Sequence, residues 1–349
     1  MSCGGVGESL CPANASEPVV DDPSKTIPFA IQVLIGVLLI KHGARFCWSR
    51  FLLPAFQLQA VHLAAAGLLS DVYVVTSVRA LCRLIELRRA KPTPSVALRN
   101  KAVGDDDMEL LGNAIGSKSA GTQSLSLRGN PSLSEKGVDS LCRSAFGSTS
   151  RLSALDLSVN PHFGNKVCSA LVDNVSAWRQ RLRTLQLMHC GITVKGIELL
   201  SSAVEKCPLQ ILSLSYNSIS GSGKSLALIC AAPQLLELGL ERCDLSDDDA
   251  CHLAAELPYS SLRVLILGRN LLTGRGVASM AKHVQEAPLL RTLDLSRNAI
   301  ASCEGLGRLA AAWASVPERV ERGQLRIDGN QLSVEDVQHF QGTLQTRAS

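Results

Sequence analysis

The hydrophobic positions of this chain follow a pattern that changes period within a block and then begins again. Leu152, Leu155 and Leu157 lead to Asn160, and the same spacing returns at Leu182, Leu185, Leu187 and Cys190, then at Leu209, Leu212, Leu214 and Asn217. It continues through Leu235, Leu238, Leu240 and Cys243, through Leu262, Leu265, Leu267 and Asn270, and through Leu290, Leu293, Leu295 and Asn298. Shorter copies stand on either side: Leu125, Leu127 and Asn130 before, Leu325, Ile327 and Asn330 after. A degenerate copy opens the series at Val96, Leu98 and Val103, with Lys101 where the others carry Asn or Cys. The paired leucines alternate with period two and predict a strand. The residues after them, such as Ile192, Gly196, Leu199, Leu200 and Ala203, or Leu272, Gly276, Met280 and Ala281, recur three and four apart and predict a helix. Each unit therefore reads as strand, turn, helix.

The Asn and Cys positions 130, 160, 190, 217, 243, 270, 298 and 330 lie 26 to 32 residues apart. One such unit cannot bury its own leucine face, whereas stacked units share a continuous interior. Nine strands at about 4.8 Å spacing give a ladder of about 40 Å, too short to close into a ring. These blocks resemble leucine-rich repeats of the long, ribonuclease-inhibitor-like kind over about residues 95 to 345. The resemblance implies an α/β leucine-rich-repeat solenoid, curved, with a parallel sheet on the concave side and helices on the convex side. Asn130, Asn160, Cys190, Asn217, Cys243, Asn270, Asn298 and Asn330 would form its structural ladder. Asn offers donors and an acceptor to backbone groups where the strand turns away, and Cys is a compact, weaker donor. The expected organisation is a solenoid of about nine repeats over 93–332 and a capping helix and tail over 333–349. Ser333 with Asp336 makes a helix start there, followed by Val337, Phe340 and Leu344 on one face.

The first ninety residues have another character. Residues 1–26 are rich in Gly, Ser and Pro, carry Glu8, Glu17, Asp21 and Asp22, and are expected to be a disordered acidic tail. Residues 27–92 form a hydrophobic helical region. It contains two uncharged runs, 27–40 and 51–70, separated by Lys41, His42, Arg45 and Arg50. A helix of fourteen residues rises only about 21 Å against a hydrocarbon core of about 30 Å, and the second run is interrupted by Pro54, Gln57, Gln59 and His62. Two readings stay open: an N-terminal cap packed on the first repeat, or a membrane anchor within residues 27–70. A single span would leave the repeats in the cytosol, whereas two spans would favour the opposite side through the basic loop. A basic amphipathic segment follows, with Val74, Val75, Val78, Leu81, Cys82 and Ile85 on one face. The acidic leader argues against a secretory signal peptide.

Composition narrows the function classes. With 46% hydrophobic residues the chain is not largely disordered, and a net charge of +4 with 4% aromatics points away from nucleic acid and base-stacking platforms. Twelve cysteines are spread along the chain without a CxxC pair or zinc spacing, so free thiols in the cytoplasm and no metal or cofactor are expected.

Candidate chemistry is sparse. Gly221, Ser222, Gly223, Lys224 and Ser225 follow a strand and open a helix as a phosphate loop would, but Ser218 stands where that loop needs Gly, and Gly223 matches the repeat position of Gly196 and Gly276. The triplets at 105–107 and 247–249 suit helix N-termini better than calcium. His189 and Cys190 face different ways, and Asn14 and Asn174 match glycosylation acceptors that matter only in a lumen. No catalytic residues emerge.

What remains is the outward register of the sheet. The residue between the strand leucines is in turn Ser126, Asp156, Gln186, Ser213, Gly239, Ile266, Asp294 and Arg326. The next outward residue is Arg128, Ser158, Met188, Ser215, Glu241, Gly268, Ser296 and Asp328. Just before the ladder stand His189, Tyr216, Arg242, Arg269 and Arg297, of which the three arginines should stack as a ridge, with Arg263 and Arg291 nearby. Tyr216, Glu241, Arg242, Arg269, Asp294 and Arg297 are the candidate partner-binding residues, because Arg and Tyr are favoured anchors. The competing reading is that the arginines pair internally with Glu237, Glu241 and Asp294. The expected function is a non-enzymatic scaffold that binds another protein on the concave face. The alternative is regulation of a small GTPase, since Ran GTPase-activating proteins are similar in repeat type, although they carry a long acidic tail where this chain ends at Ser349. NOD-like receptors are similar too, but imply an upstream nucleotide-binding domain for which ninety residues leave no room.

Overall fold

The structure is a computed structural model that describes residues 78–79, 82, 94–117, 120–301 and 303–346, all within the unit Val61–Ser349. The segments 1–26, 27–40 and 51–70, with the tail, cap and anchor readings made for them, lie outside the described residues. Among those described, no helix is long and apolar enough to cross a membrane.

Nine three-residue strands form one open sheet in chain order: β1 (Ser95–Ala97), β2 (Ser124–Ser126), β3 (Ala154–Asp156), β4 (Thr184–Gln186), β5 (Ile211–Ser213), β6 (Glu237–Gly239), β7 (Val264–Ile266), β8 (Thr292–Asp294) and β9 (Gln324–Arg326). Every neighbouring pair is parallel, and the register places Leu125, Leu155, Leu185, Leu212, Leu238, Leu265, Leu293 and Leu325 side by side. Register is dictated by the leucines, because a one-residue slip would turn each of them out of the interior.

Helices return the chain from each strand to the next: α1 (Met108–Gly116), α2 (Glu135–Ala145), α3 (Gly164–Asp173) with the short α4 (Val175–Trp178), α5 (Val194–Val204), α6 (Gly223–Cys230), α7 (Asp247–Ala255), α8 (Gly274–Gln285), α9 (Cys303–Ala314) with α10 (Pro317–Arg322), and α11 (Val334–Thr346). Packed helices stand about 8–10 Å apart and paired strands about 4.8 Å, so a stack of such units bends with the strands inside. Differences in repeat length are absorbed on the helix side. The 30-residue step from Asn160 to Cys190 holds the extra turn α4, whose Trp178 is buried and donates its indole N–H to the Leu171 carbonyl at 2.8 Å.

A link between neighbouring helix starts explains the glycine column. Asp105 Oδ1 accepts from the Ser134 N–H at 2.7 Å, Asn165 Oδ1 from Thr193 at 2.9 Å and Asp247 Oδ1 from Thr273 at 2.8 Å. Gly137, Gly196 and Gly276 lie three residues after those partners, and a Cβ on any of them would collide with the same Asp or Asn. The carboxylates of Asp105 and Asp247 thus bridge repeats, which goes beyond the helix-dipole role expected of them.

The far end differs from the rest. Ser333 and Asp336 cap α11 through three mutual hydrogen bonds of 2.8 to 3.1 Å. The helix packs against α9 as the helix of the ninth repeat, burying Phe340. Leu325, Ile327 and Leu332 remain half-exposed, while their counterparts Leu293, Leu295 and Ile300 are fully buried.

Candidate binding face

Two columns run across the repeats just past the strands, one residue apart. The first is the Asn/Cys ladder. Asn217 Oδ1 accepts the N–H groups of Cys190 and Ile192, both at 3.0 Å, and its Nδ2 donates to the carbonyls of Leu187 and Leu214 at 2.8 and 2.7 Å. Asn130, Asn270, Asn298 and Asn330 repeat this arrangement. Asn160 accepts from the Asn130 N–H at 2.7 Å and donates to Leu157 and Leu127. Where Cys stands instead, its thiol donates to a carbonyl and its sulfur faces the N–H of the preceding ladder residue, Asn160 or Asn217, a weaker acceptor than an amide oxygen. The N–H groups of Gly164 and Ile219 turn to the backbone carbonyls of Cys190 and Cys243. Burial pushes both thiols up to about 12, far from the range of a nucleophile at neutral pH.

The second column carries the candidate ridge. Asn100, Gly129, Val159, His189, Tyr216, Arg242, Arg269, Arg297 and Gly329 all adopt left-handed backbone, with φ between +51° and +74°. Each amide from Asn100 to Arg297 donates to a carbonyl of the following repeat, as Arg242 does to Gly268 at 3.0 Å and Arg297 to Asp328 at 2.7 Å. Non-glycine residues hold that conformation at about 1–2 kcal/mol each. The geometry turns the side chain away from the sheet while its neighbour in the ladder points inward.

On this ridge Arg242, Arg269 and Arg297 are exposed, as is His189, and Tyr216 is half-exposed. The guanidinium of Arg242 lies 5.8 Å from the Tyr216 ring centre, and Arg269 Nε meets Glu241 Oε1 at 3.1 Å. The Tyr216 hydroxyl donates to the same carboxylate oxygen at 3.4 Å. Arg297 has no ion pair among the described residues. Internal pairing thus accounts for Arg269 alone of the three. Asp294 is brought into a different set: it is 8% exposed, its Oδ1 accepts the Ser296 N–H at 2.9 Å, and its Oδ2 meets Arg326 at 3.1 Å. Arg263 and Arg291 stand before β7 and β8 while the ridge stands after them, so they flank the strands from the other end. Arg291 is there bound to Glu318.

The floor between ridge and strands is small and polar. Ser158, Ser215 and Ser296 face outward yet are buried by their neighbours. A Cβ on Gly239 or Gly268 would lie 3.1 Å from the hydroxyls of Ser213 and Ser296.

The loop resembling a phosphate cradle is occupied from within. The N–H groups of Gly221 and Gly223 donate to Asp249 at 3.0 and 2.8 Å, and a Cβ on Gly223 would lie 2.8 Å from the Asp249 Cα. Burial alone would raise the Asp249 carboxyl, but the N–H groups of Gly221, Ser246 and Gly223 with the Ser246 hydroxyl hold it below the usual carboxylate range. Asn174 is buried and donates to Asp139 and Ala170, which removes it as a glycosylation acceptor. Among the described residues no group of three or more His, Cys, Asp or Glu side chains is placed to hold a metal ion. Cys142, Cys168, Cys190, Cys207, Cys230 and Cys243 are buried thiols outside any disulfide, and Cys251 is exposed.

One feature escaped sequence reasoning altogether. Arg319, 1% exposed, donates to the carbonyl of Val284 at the end of α8 and to those of Ala287 and Leu290 in the loop after it, and lies over the Trp313 ring at 5.0 Å. Burial, and then the neighbouring Arg291, lower its pKa to about 10.

An open parallel sheet, a helix per strand and an Asn/Cys ladder define a leucine-rich-repeat solenoid, and the repeat is ribonuclease-inhibitor-like. A family profile described as a leucine rich repeat matches residues 180–201. The ribonuclease inhibitor of Mus musculus is 29% identical over 305 residues, 83% of this chain and 63% of that protein. The ribonuclease inhibitor of Sus scrofa is 28% identical over 248 residues, 61% of this chain and 54% of its own. The chain thus spans between half and two thirds of the length of these relatives. The NACHT, LRR and PYD domains-containing protein 5 of Bos taurus is 32% identical over 204 residues, 54% of this chain and 18% of that one. Among solved structures, internalin C2 of Listeria monocytogenes aligns over 67% of this chain and 79% of its own with TM-score 0.40 and 17% identity. Likenesses that loose carry no further argument.

Proposed function

We propose that this chain is a protein-binding scaffold whose contact edge is the left-handed ridge of its C-terminal half, Tyr216, Arg242, Arg269 and Arg297, with Glu241 fixing Tyr216 and Arg269. One observation carries this reading. The column is met most cheaply by Gly or Asn, as at Asn100, Gly129 and Gly329, yet five successive repeats fill it with His, Tyr and Arg at a conformational cost. Side chains of this kind, held at strand spacing above a small polar floor, suit an acidic protein surface better than a reaction centre. Asp294, tied to Ser296 and Arg326, orders that floor and makes no contact of its own. The buried unpaired thiols support residence in a reducing compartment, and attachment of residues 27–70 to a membrane is tested by carbonate extraction of the full chain.

Affinity capture with the full chain and with the triple variant Arg242→Glu, Arg269→Glu, Arg297→Glu tests the ridge. Loss of the captured proteins from a variant with an unchanged melting temperature supports it, and their retention overturns it. A ribonuclease is the partner that the relatives' name suggests. Titration of the chain into a ribonuclease assay and into GTP hydrolysis by a panel of small GTPases separates that partner, and the GTPase-regulator alternative, from an acidic surface of another kind.

A further inference from the structure

Among the described residues, β9 is the last strand joined by the hydrogen bonding that links successive repeats. In earlier repeats the N–H groups past each strand donate forward, as Leu295 does to the Arg326 carbonyl and Arg297 to Asp328, while Asn298 and Ile300 donate to Asn330 Oδ1 at 3.0 and 3.3 Å. The equivalent N–H groups of Ile327, Gly329, Asn330 and Leu332 have no acceptor among the described residues. Among the described residues β9 pairs with β8 alone, so Leu325 and Ile327 direct backbone donors and acceptors outward, beside the half-exposed side chains of Leu325, Ile327 and Leu332. An edge of this kind is a template for another strand.

The charges on the edge select the occupant. Arg326 and Asp328 lie on either side of Ile327, with side chains 53% and 61% exposed and 3.4 Å apart. Two copies of β9 brought together antiparallel with Ile327 opposite Ile327 exchange both backbone hydrogen bonds at that position. The same register sets Arg326 of each copy against Asp328 of the other, at the closely spaced non-hydrogen-bonded positions. A shift that centres the axis on Arg326 would face like charges. We infer that a second copy of this chain docks on β9 across a twofold axis, joining the two sheets and covering Leu325, Ile327 and Leu332. The inference does not require a partner on the ridge.

Sedimentation equilibrium and light scattering of the full chain across a dilution series test it. The wild type is expected at twice the chain mass. Asp328→Arg, which sets Arg against Arg twice, should raise the dissociation constant roughly tenfold or more, and Ile327→Pro, which removes the backbone donor on the twofold axis while leaving Arg326 with Asp294, should weaken the dimer further. Circular dichroism melts confirm that each variant is folded. A monomeric wild type at every concentration, a dimer indifferent to Asp328→Arg, a folded Ile327→Pro that dimerises as the wild type does, or open-ended growth into larger assemblies each overturns the proposal.

Discussion

The ladder and the ridge are neighbours in the chain, one residue apart in every repeat, and they answer to opposite constraints. A ladder side chain is buried and joined to backbone groups of its own and adjacent repeats, so its chemistry is restricted: Asn, or Cys where a main-chain carbonyl supplements the weaker acceptor. A ridge residue is constrained in its backbone only, and the column accordingly holds Gly, Asn, Val, His, Tyr and Arg. Uniformity in the first column reports how the stack is held, and variety in the second is the freedom from which a partner surface can be made.

The sharpest way to break this comparison is to exchange the outcomes of Asn217 and Tyr216. Asn217→Leu leaves two N–H groups and two carbonyls buried without partners and is expected to cost about 4 kcal/mol or more. Urea unfolding would show it as a lowered midpoint with unchanged slope. Asn217→Cys should cost less, because Ile219 and Gly164 already show how a repeat closes over Cys. A loss for Tyr216→Gly as large as that for Asn217→Leu would dissolve the distinction.

The next effect concerns a residue outside both columns. Arg319→Met strips three carbonyls of their donor and should cost about 3 kcal/mol, and Arg319→Lys should recover only part, since one ammonium does not reproduce the planar fork. Thermal melts of both variants check this. Equal stability of Met, Lys and Arg at 319 would show that solvent already reaches those carbonyls.

The difference between the columns also governs how much was legible in the sequence. Leu at fixed spacing must turn inward, so the strands and their register follow from the pattern, while the parallel sheet and the inward Asn and Cys column were what the likeness to leucine-rich repeats implied. The left-handed backbone of the ridge was hidden because Arg, Tyr and His give no conformational signal. Its trace was there in Asn100, Gly129 and Gly329, three turn-forming residues in one column. Outwardness was legible, but accessibility was not: Ser158, Ser215 and Asp294 face outward and are covered by side chains from adjacent repeats, which no single repeat reveals. The buried Arg319 follows no period, because it belongs to the one stretch where α9 and α10 together lengthen the repeat. Asp249 was hidden for another reason: it sits in the first turn of α7, as an ordinary helix-start acid would, while its carboxylate reaches back to the previous repeat's loop.

Asp249 gives a smaller, pH-dependent effect. Its folded pKa is depressed, so the stabilisation is complete above the unfolded value of about 3.9 and is lost as pH falls through the folded one. Asp249→Asn should therefore cost about 1 kcal/mol at neutral pH, with the gap to wild type closing below about pH 4. Parallel urea curves at several pH values measure it, and a gap that stays constant into acid would mean that the carboxylate charge plays no part in holding Gly221 and Gly223.

The smallest effect on stability is expected where the effect on binding should be largest. Arg297→Gly relieves a left-handed strain of about 1–2 kcal/mol and gives back about 0.5–1 kcal/mol through the freer unfolded chain. The net change is a stabilisation of about 1 kcal/mol or less. Asn298→Gly, the next residue, instead removes the acceptor for Asn270 and Leu272 and the donor to Leu267 and Leu295, and must fall on the destabilising side. Unfolding curves of the two single variants, run together, compare the columns at adjacent positions with the same substitution. If Arg297→Gly destabilises as Asn298→Gly does, the ridge arginine is part of the packing, and the reading of this column as a free surface fails with it.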